Sequence, residues 1–232
     1  MTTNWGWKEA LVSVGIMGPS LLIGTAGALA IGYAIAGAQP EPKHLMVPSQ
    51  IAAYACWLIG VWLLFRAKGM SAWSELRMQW PSSGTLGYLA LGPAIMLAVG
   101  LLAPLLRAKD IDVNALRQIL ADPVARPMLI AFGITIGPLV EEMLFRGILL
   151  PVAARSIGIA GALALTSVPF ALIHGPQYSW SWQHILLLVF VSVAFGVVRL
   201  RSGSTMASTL THGAYNLMMF AAYFVTTKDP QL

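Results

Sequence analysis

Residues 134–152 read ITIGPLVEEMLFRGILLPV, an apolar stretch that carries Glu141, Glu142 and Arg146. An ionisable side chain at the centre of a membrane helix costs about 2.5–3.5 kcal/mol. Glu142 and Arg146 are four residues apart with the acid first, which is the favourable order for an ion pair on one helix face. Glu141 points about 100° away from that pair, so it has no partner within its own helix. We therefore expect other helices to complete a site around Glu141.

The composition of the chain is that of an integral membrane protein. Of its 232 residues, 57% are hydrophobic and 10% are charged, whereas soluble domains average about 25% charged residues. The mean hydropathy is +0.74. The net charge of +5 suits loops that lie on anionic lipid, and no Lys/Arg-rich tract indicates a nucleic-acid partner. Cys56 is the single cysteine in the sequence, so no intramolecular disulfide is expected.

About seven apolar segments, with a range of six to eight, are long enough to cross a bilayer. They lie at 11–38, 49–65, 86–106, 128–152, 157–174, 185–200 and 205–226. The first run is too long for the apolar part of a signal peptide, so no cleavable signal peptide is expected. The slight excess of Lys and Arg on the N-terminal side favours a cytoplasmic N-terminus.

The predicted fold class is all-α, a polytopic helical transmembrane bundle with short amphipathic surface helices. Those surface helices are expected at 71–83 and 112–121, and a polar tail at 228–232. We expect a single membrane domain over 1–232. Its 1–127 part would hold the first three spans and the surface helices, and its 128–226 part a core of the last four spans.

Polar side chains recur in the late spans. His174 ends the fifth span, and His212 and Asn216 share one face of the seventh because they are four residues apart. Taken singly, a buried His is more often a hydrogen-bonded packing residue. An Asn such as Asn216 commonly forms hydrogen bonds between membrane helices. A single Phe such as Phe170 is more often a core residue than a residue that lines a site. Taken together, one unpaired Glu and two His on three helices are the set that acid–base chemistry requires.

These residue types predict hydrolysis of a peptide bond by an activated water. A carboxylate near imidazoles can hold and deprotonate water, while His212 and Asn216 can donate hydrogen bonds to an oxyanion. The sequence has no GxSxG and no HExxH, and no His lies beside Cys56. Glu141, His174 and His212 would also supply a His₂Glu ligand set for zinc, so Glu-activated and metal-bound water both stay open.

The motifs EExxxR at 141–146, FxxxH at 170–174 and HxxxN at 212–216 follow one another on the late spans. In this order they resemble the CPBP (CAAX protease and bacteriocin-processing, Abi) family of intramembrane endopeptidases. The resemblance covers 128–224 and implies a catalytic core that cleaves membrane-anchored or lipidated peptides and proteins. The roles that it implies are water activation by Glu141 with His174, an oxyanion site at His212 and Asn216, and support from Glu142, Arg146 and Phe170.

The resemblance leaves the cofactor undecided between a divalent metal such as zinc and none. The family is labelled metalloprotease, whereas its prenyl endopeptidase branch is similar to glutamate proteases. The implied location is the cell membrane, as a multi-pass protein, and the short loops favour a bacterial one. The expected partners are membrane lipid and a membrane-associated substrate, and the sequence makes no prediction of oligomeric state.

Two other functions fit the same residues. One is a non-enzymatic immunity or scaffold protein that keeps the fold. The other is a proton-coupled transporter that uses Glu141 as its carrier, because buried Glu and His residues also line proton pathways. The sequence lacks the inverted repeats of many transporters, which counts against the transporter.

Overall fold

The computed structural model describes residues 5–37, 39–109 and 114–226 of the chain. Within these ranges the chain forms helices and no strands, which confirms the all-α fold class. The α-helices are α1 Trp7–Gly15, α2 Met17–Ala36, α3 Pro42–Arg66, α4 Ala72–Glu75, α5 Thr85–Leu105, α6 Asn114–Ala121, α7 Ala125–Ile134, α8 Ile136–Glu142, α9 Leu150–Ile173, α10 Trp182–Ser202 and α11 Thr205–Thr226. A π-helix, Met143–Leu149, joins α8 to α9, and a 3₁₀-helix, Gly175–Tyr178, follows α9.

Five helical stretches in the described ranges are long and apolar enough to cross a membrane, which makes this a multi-pass membrane protein. They are Trp7–Ile35, Pro42–Arg66, Thr85–Leu105, Ala125–Ile173 and Trp182–Ser202. The fourth of them contains two predicted spans. The predicted seventh span is α11, which is helical throughout but carries more polar residues than the others.

The chain reverses direction at Gly158, inside the stretch Ala125–Ile173. A straight helix from 141 to 174 would separate its ends by about 50 Å. The carboxylate of Glu141 and the imidazole of His174 are only 4.0 Å apart. Gly158 has φ 75° and ψ 171°, a conformation that favours glycine because it has no Cβ. The fourth and fifth predicted spans are therefore joined by a sharp bend at Gly158, just inside the predicted fifth span.

The predicted surface helices differ from the structure in one case. Of 71–83, only Ala72–Glu75 is helical, and Leu76 and Met78 are fully buried. This segment packs into the bundle because its two apolar side chains are covered by neighbouring helices. The second surface helix is present from Asn114 onward. The predicted residues 112–113 and the polar tail 228–232 lie outside the described ranges.

Helix α11 is packed closely against α5. A Cβ on Gly92 of α5 would lie 2.6 Å from the carbonyl oxygen of Thr211. The Thr211 hydroxyl donates a hydrogen bond of 3.0 Å to the carbonyl of Tyr88. Small residues permit this backbone approach between membrane helices, and the contact fixes the height of α11 in the bundle.

Candidate active site

The two glutamates follow a break between α7 and α8. Pro138 has no N–H, so it cannot donate to the carbonyl of Ile134 as a helical residue would. The helix is interrupted at Thr135, whose φ and ψ are −126° and −82°. Helix α11 docks on this break. Asn216 Nδ2 donates to the carbonyl of Gly133 at 2.7 Å, and a Cβ on Gly213 would lie 2.5 Å from the Ile134 oxygen.

The sequence predicted one continuous α-helix through the motif, but residues 143–149 form a π-helix. Single π-helical turns are rare and occur often at functional sites. Gly147 lies in this turn, and a Cβ on it would be 3.3 Å from the Leu76 side chain. The turn therefore rests directly on the buried segment that follows α4.

Glu142 and Arg146 form the ion pair that their spacing indicated. Arg146 Nη1 donates to Glu142 Oε1 at 2.9 Å, and both side chains are fully buried. Arg146 Nη2 donates to the hydroxyl and the carbonyl of Ser192, both at 2.7 Å. The other carboxylate oxygen of Glu142 accepts a hydrogen bond from Ser208 of α11. Buried charges are stable only when paired and hydrogen-bonded in this way.

Aromatic rings surround the Arg146 guanidinium. Its centre lies 4.8 Å from the ring of Phe170, 5.6 Å from that of Phe195 and 5.9 Å from that of Phe145. The Phe195 ring also stacks on His212 at 4.5 Å. These ring faces attract a cation and exclude water. The ion pair and the His212 imidazole therefore lie against the same apolar aromatic surface.

Glu141 lies between the two histidines. Its Oε2 is 3.8 Å from Nε2 of His212 and 4.0 Å from Nε2 of His174. These distances are too long for direct hydrogen bonds and match the reach of one bridging water. The side chains of Glu141 and His174 are 19% and 18% exposed, whereas that of His212 is 6% exposed. The structure therefore brings together the carboxylate and both rings.

The opposite nitrogen of each ring is held by a protein acceptor. His174 Nδ1 is 2.7 Å from the carbonyl of Phe170, and His212 Nδ1 is 3.1 Å from Oε1 of Glu142. A carbonyl and an ionised carboxylate can only accept hydrogen bonds. The Nδ1 atom of each ring must therefore carry the proton that it donates. In the neutral rings the two Nε2 atoms that face Glu141 are consequently acceptors.

Sequence reasoning missed three residues of this site: Ser192, Phe195 and Ser208. Ser208, His212 and Asn216 repeat at four-residue spacing, which is a helical-face signal that could have included Ser208. Ser192 and Phe195 lie within the apolar run of α10, where nothing in the sequence distinguishes them from packing residues.

The donor types of a zinc site are present, since two imidazoles with a held Nδ1–H and a carboxylate are common metal ligands. The arrangement does not fit one. Among the described residues, no three His, Cys, Asp or Glu side chains form a group that could hold a metal ion.

Part of the chain matches a known protein family. Residues 123–218 match the family described as type II CAAX prenyl endopeptidase Rce1-like. No curated protein and no solved structure matches the chain. The matched segment runs from the start of α7 into α11 and includes Glu141, both histidines and Asn216.

This match agrees with the resemblance carried by the three motifs, and it supports intramembrane endopeptidase activity in general terms. The helix breaks, the buried ion pair and the converging acid and imidazoles all lie inside the matched segment. Through residues 123–218, this chain is similar to the Rce1-like type II CAAX prenyl endopeptidase family.

Proposed function

We propose that this protein hydrolyses peptide bonds within the membrane with a water activated by Glu141 and His174. The observation that carries the proposal is the convergence of the Glu141 carboxylate and two Nε2 atoms at 3.8 and 4.0 Å. All three are acceptors when the acid is ionised and the rings are neutral. A water molecule donates two hydrogens, so it fits between acceptors that cannot bond to one another.

In the proposed reaction the water donates to Glu141 and to His174. Glu141 takes one proton as the water oxygen forms a bond to the substrate carbonyl carbon. The tetrahedral intermediate then breaks its C–N bond, and the proton passes from Glu141 to the departing amine. The products are a carboxylic acid and an amine, and the Glu141 carboxylate is regenerated.

His212 and Asn216 are proposed to stabilise the oxyanion. Asn216 Nδ2 donates one hydrogen bond to the Gly133 carbonyl. The second hydrogen on the same nitrogen is left to donate to the oxyanion. His212 Nδ1–H is already directed at Glu142, so the ring donates from Nε2 only when both nitrogens are protonated. Fixed donors of this kind contribute about 100- to 1000-fold each to catalysis in comparable sites.

Glu142, Arg146 and Phe170 are proposed to support and orient the reacting groups. Glu142 holds His212, the carbonyl of Phe170 holds His174, and Arg146 neutralises the charge of Glu142. The substrates are proposed to be membrane-associated or lipidated peptides, because the reacting residues lie on spans of a multi-pass protein. We propose the cell membrane as its location, with a bacterial inner membrane as the specific case.

The test is a comparison of Glu141→Gln with wild type. Cells expressing each form are compared for fragments in the membrane and secreted proteomes, and cleavage of an affected substrate is then repeated with purified protein. We expect Glu141→Gln to lower cleavage at least about 100-fold, since it removes the base. Folding should be unchanged, because within the described ranges the Glu141 carboxylate has no direct hydrogen bond.

Glu41→Gln is the matched control, since Glu41 lies outside the three motifs and its one salt bridge within the described residues is to Lys43. It should leave the fragment pattern as in wild type. A Glu141→Gln strain with the same fragments as wild type, or with full function in its pathway, would refute the hydrolytic role and favour the scaffold function.

A further inference from the structure

Arg199, near the end of α10, is a mostly buried cation that forms no salt bridge with the described residues. Arg199 is 3% exposed. Its Nε donates to the hydroxyl of Thr205 at 2.9 Å, and that hydroxyl donates to the carbonyl of Leu76 at 2.6 Å. Neither terminal nitrogen has a partner among the described residues. These nitrogens are not among the fully buried polar atoms that lack a partner, so they are open to an anion from outside the bundle.

A second arginine lies beside it. Arg77 is exposed, and its backbone contacts Thr205, the residue whose hydroxyl accepts from Arg199. Its backbone has φ 54°, in the left-handed region that is uncommon for a residue other than glycine. This backbone is held by α11, because Thr205 N–H donates to the Arg77 carbonyl at 2.8 Å. The fold thus anchors the backbone of a second arginine at Thr205, the residue that also contacts Arg199.

The nearest acid in sequence does not neutralise this pair. Glu75 of α4 makes no salt bridge with Arg77 or Arg199 within the described part of the chain. Thr205 is no counter-charge either, because its hydroxyl is neutral and only accepts from Arg199 while donating to Leu76. Among the described residues, no acidic side chain forms a salt bridge with either arginine.

The pair also lies at the level of the lipid headgroups. Arg199 is in the last turn of the membrane-spanning stretch Trp182–Ser202. Trp73 and Trp80, on either side of Arg77 in sequence, are 57% and 60% exposed. Exposed tryptophans concentrate at the membrane–water interface, where phosphate groups are the abundant anions.

We propose that Arg199 and Arg77 form a binding site for the phosphate of an anionic phospholipid headgroup. The guanidinium group suits phosphate because its planar donors match the oxygens in pairs. The site is separate from the catalytic one. His212 is seven residues into α11 from Thr205, about 10 Å of helix rise. The bound lipid would hold the 76–80 segment against the start of α11.

Lipid titration of the purified full-length protein in mixed micelles tests the site. The midpoint of thermal unfolding, followed by tryptophan fluorescence, is measured against added phosphatidylglycerol or phosphatidylcholine. We expect phosphatidylglycerol to raise the midpoint more than phosphatidylcholine does. Arg77→Gln should raise the half-saturating phosphatidylglycerol about fivefold, and Arg199→Gln should abolish the response.

Arg201→Gln is the matched control, since it removes the same charge two residues from Arg199 on an exposed side chain. It should change half-saturation less than Arg77→Gln does. This comparison decides the test even if Arg199→Gln fails to fold. Equal effects of Arg201→Gln and Arg77→Gln, or equal stabilisation by the two lipids, would overturn the proposal.

Two further arms identify the source of the anion. Inorganic phosphate that stabilises the protein as well as phosphatidylglycerol does would overturn the lipid assignment. A lipid effect that disappears at about 1 M salt, where the Debye length is about 3 Å, would indicate diffuse surface attraction and would also overturn it. We expect the effect to persist, because the Arg199 charge is recessed and poorly screened.

Discussion

At the scale of single residues, the site depends on which hydrogen-bonding groups each side chain has left. Glu142 accepts from Arg146, Ser208 and His212, so its charge is fully engaged. Glu141, its neighbour in sequence, has no direct hydrogen bond among the described residues and is 19% exposed. Two adjacent carboxylates thus have different environments, which suits a structural role for Glu142 and a chemical one for Glu141.

The first prediction concerns the stability that Glu142 provides. Glu142→Gln should lower the free energy of unfolding by about 3–5 kcal/mol, because it leaves Arg146 as a buried unpaired charge. Chemical unfolding of the purified protein in detergent measures the loss. Glu141→Gln and Glu41→Gln should each change it by less than about 0.5 kcal/mol.

A double variant separates charge from packing. Glu142→Gln with Arg146→Met should lose less stability than Glu142→Gln alone, because no unpaired charge is left in the core. If the double variant is the less stable of the two, the loss comes from packing and the charge argument is wrong.

At the scale of helices, the position of Glu141 depends on the break at Thr135 and on the approach of α11 to it. The break follows from Pro138, which leaves the Ile134 carbonyl without its helical donor. The approach requires Gly213, because any side chain there would meet that same carbonyl. Pro138 is three residues from Glu141 and Gly213 is next to His212, so both lie within one helical turn of a reacting residue.

The second prediction is that Gly213→Ala separates α11 from the break and displaces His212. The added Cβ would lie 2.5 Å from the Ile134 oxygen, so one backbone must move. We expect a stability loss of about 1–3 kcal/mol and a fall in kcat larger than any change in KM. Gly100→Ala in α5 is the control, since a Cβ there meets nothing within 4 Å. A Gly213→Ala protein with wild-type kcat would contradict the close packing.

The third prediction is that Pro138→Ala restores an N–H opposite the Ile134 carbonyl and straightens the α7–α8 junction. The variant should remain folded, with a thermal midpoint no lower than that of wild type, while its cleavage rate falls because Glu141 moves. Pro104→Ala, in the last turn of α5, provides the comparison. Unchanged activity in Pro138→Ala would mean that the break does not position Glu141.

At the scale of the whole molecule, Asp122 connects α3 to the segment that leads into the site. Its Oδ1 accepts from the backbone N–H groups of Val124 and Ala125, both at 2.9 Å. Its Oδ2 lies 2.9 Å from Lys43 Nζ and 3.1 Å from His44 Nε2. The backbone N–H of Ala125, followed by Lys43, holds the pKa of this carboxyl well below its usual range.

The fourth prediction follows from that pKa. A carboxyl whose folded pKa is depressed stabilises the fold above its unfolded pKa of about 3.9, and the contribution disappears as the pH falls further. The thermal midpoint of Asp122→Asn should therefore lie below that of wild type at pH 5–7, with the gap closing below about pH 4. A gap that is constant from pH 7 down to pH 3 would rule out the charge of Asp122 as its cause.

The sequence by itself determined the features that arise within one helix or from composition. The low charge content predicts a membrane bundle, and the four-residue spacings predict the Glu142–Arg146 pair and the shared face of His212 and Asn216. Only the tertiary structure decided which atoms meet across helices. His212 Nδ1 contacts a carboxylate 70 residues away, and the Ser208 hydroxyl reaches the same group across 66 residues. Sequence spacing fixes direction along one helix, whereas the relative rotation and height of two helices follow from packing at glycines and breaks such as Gly158, Gly213 and Pro138.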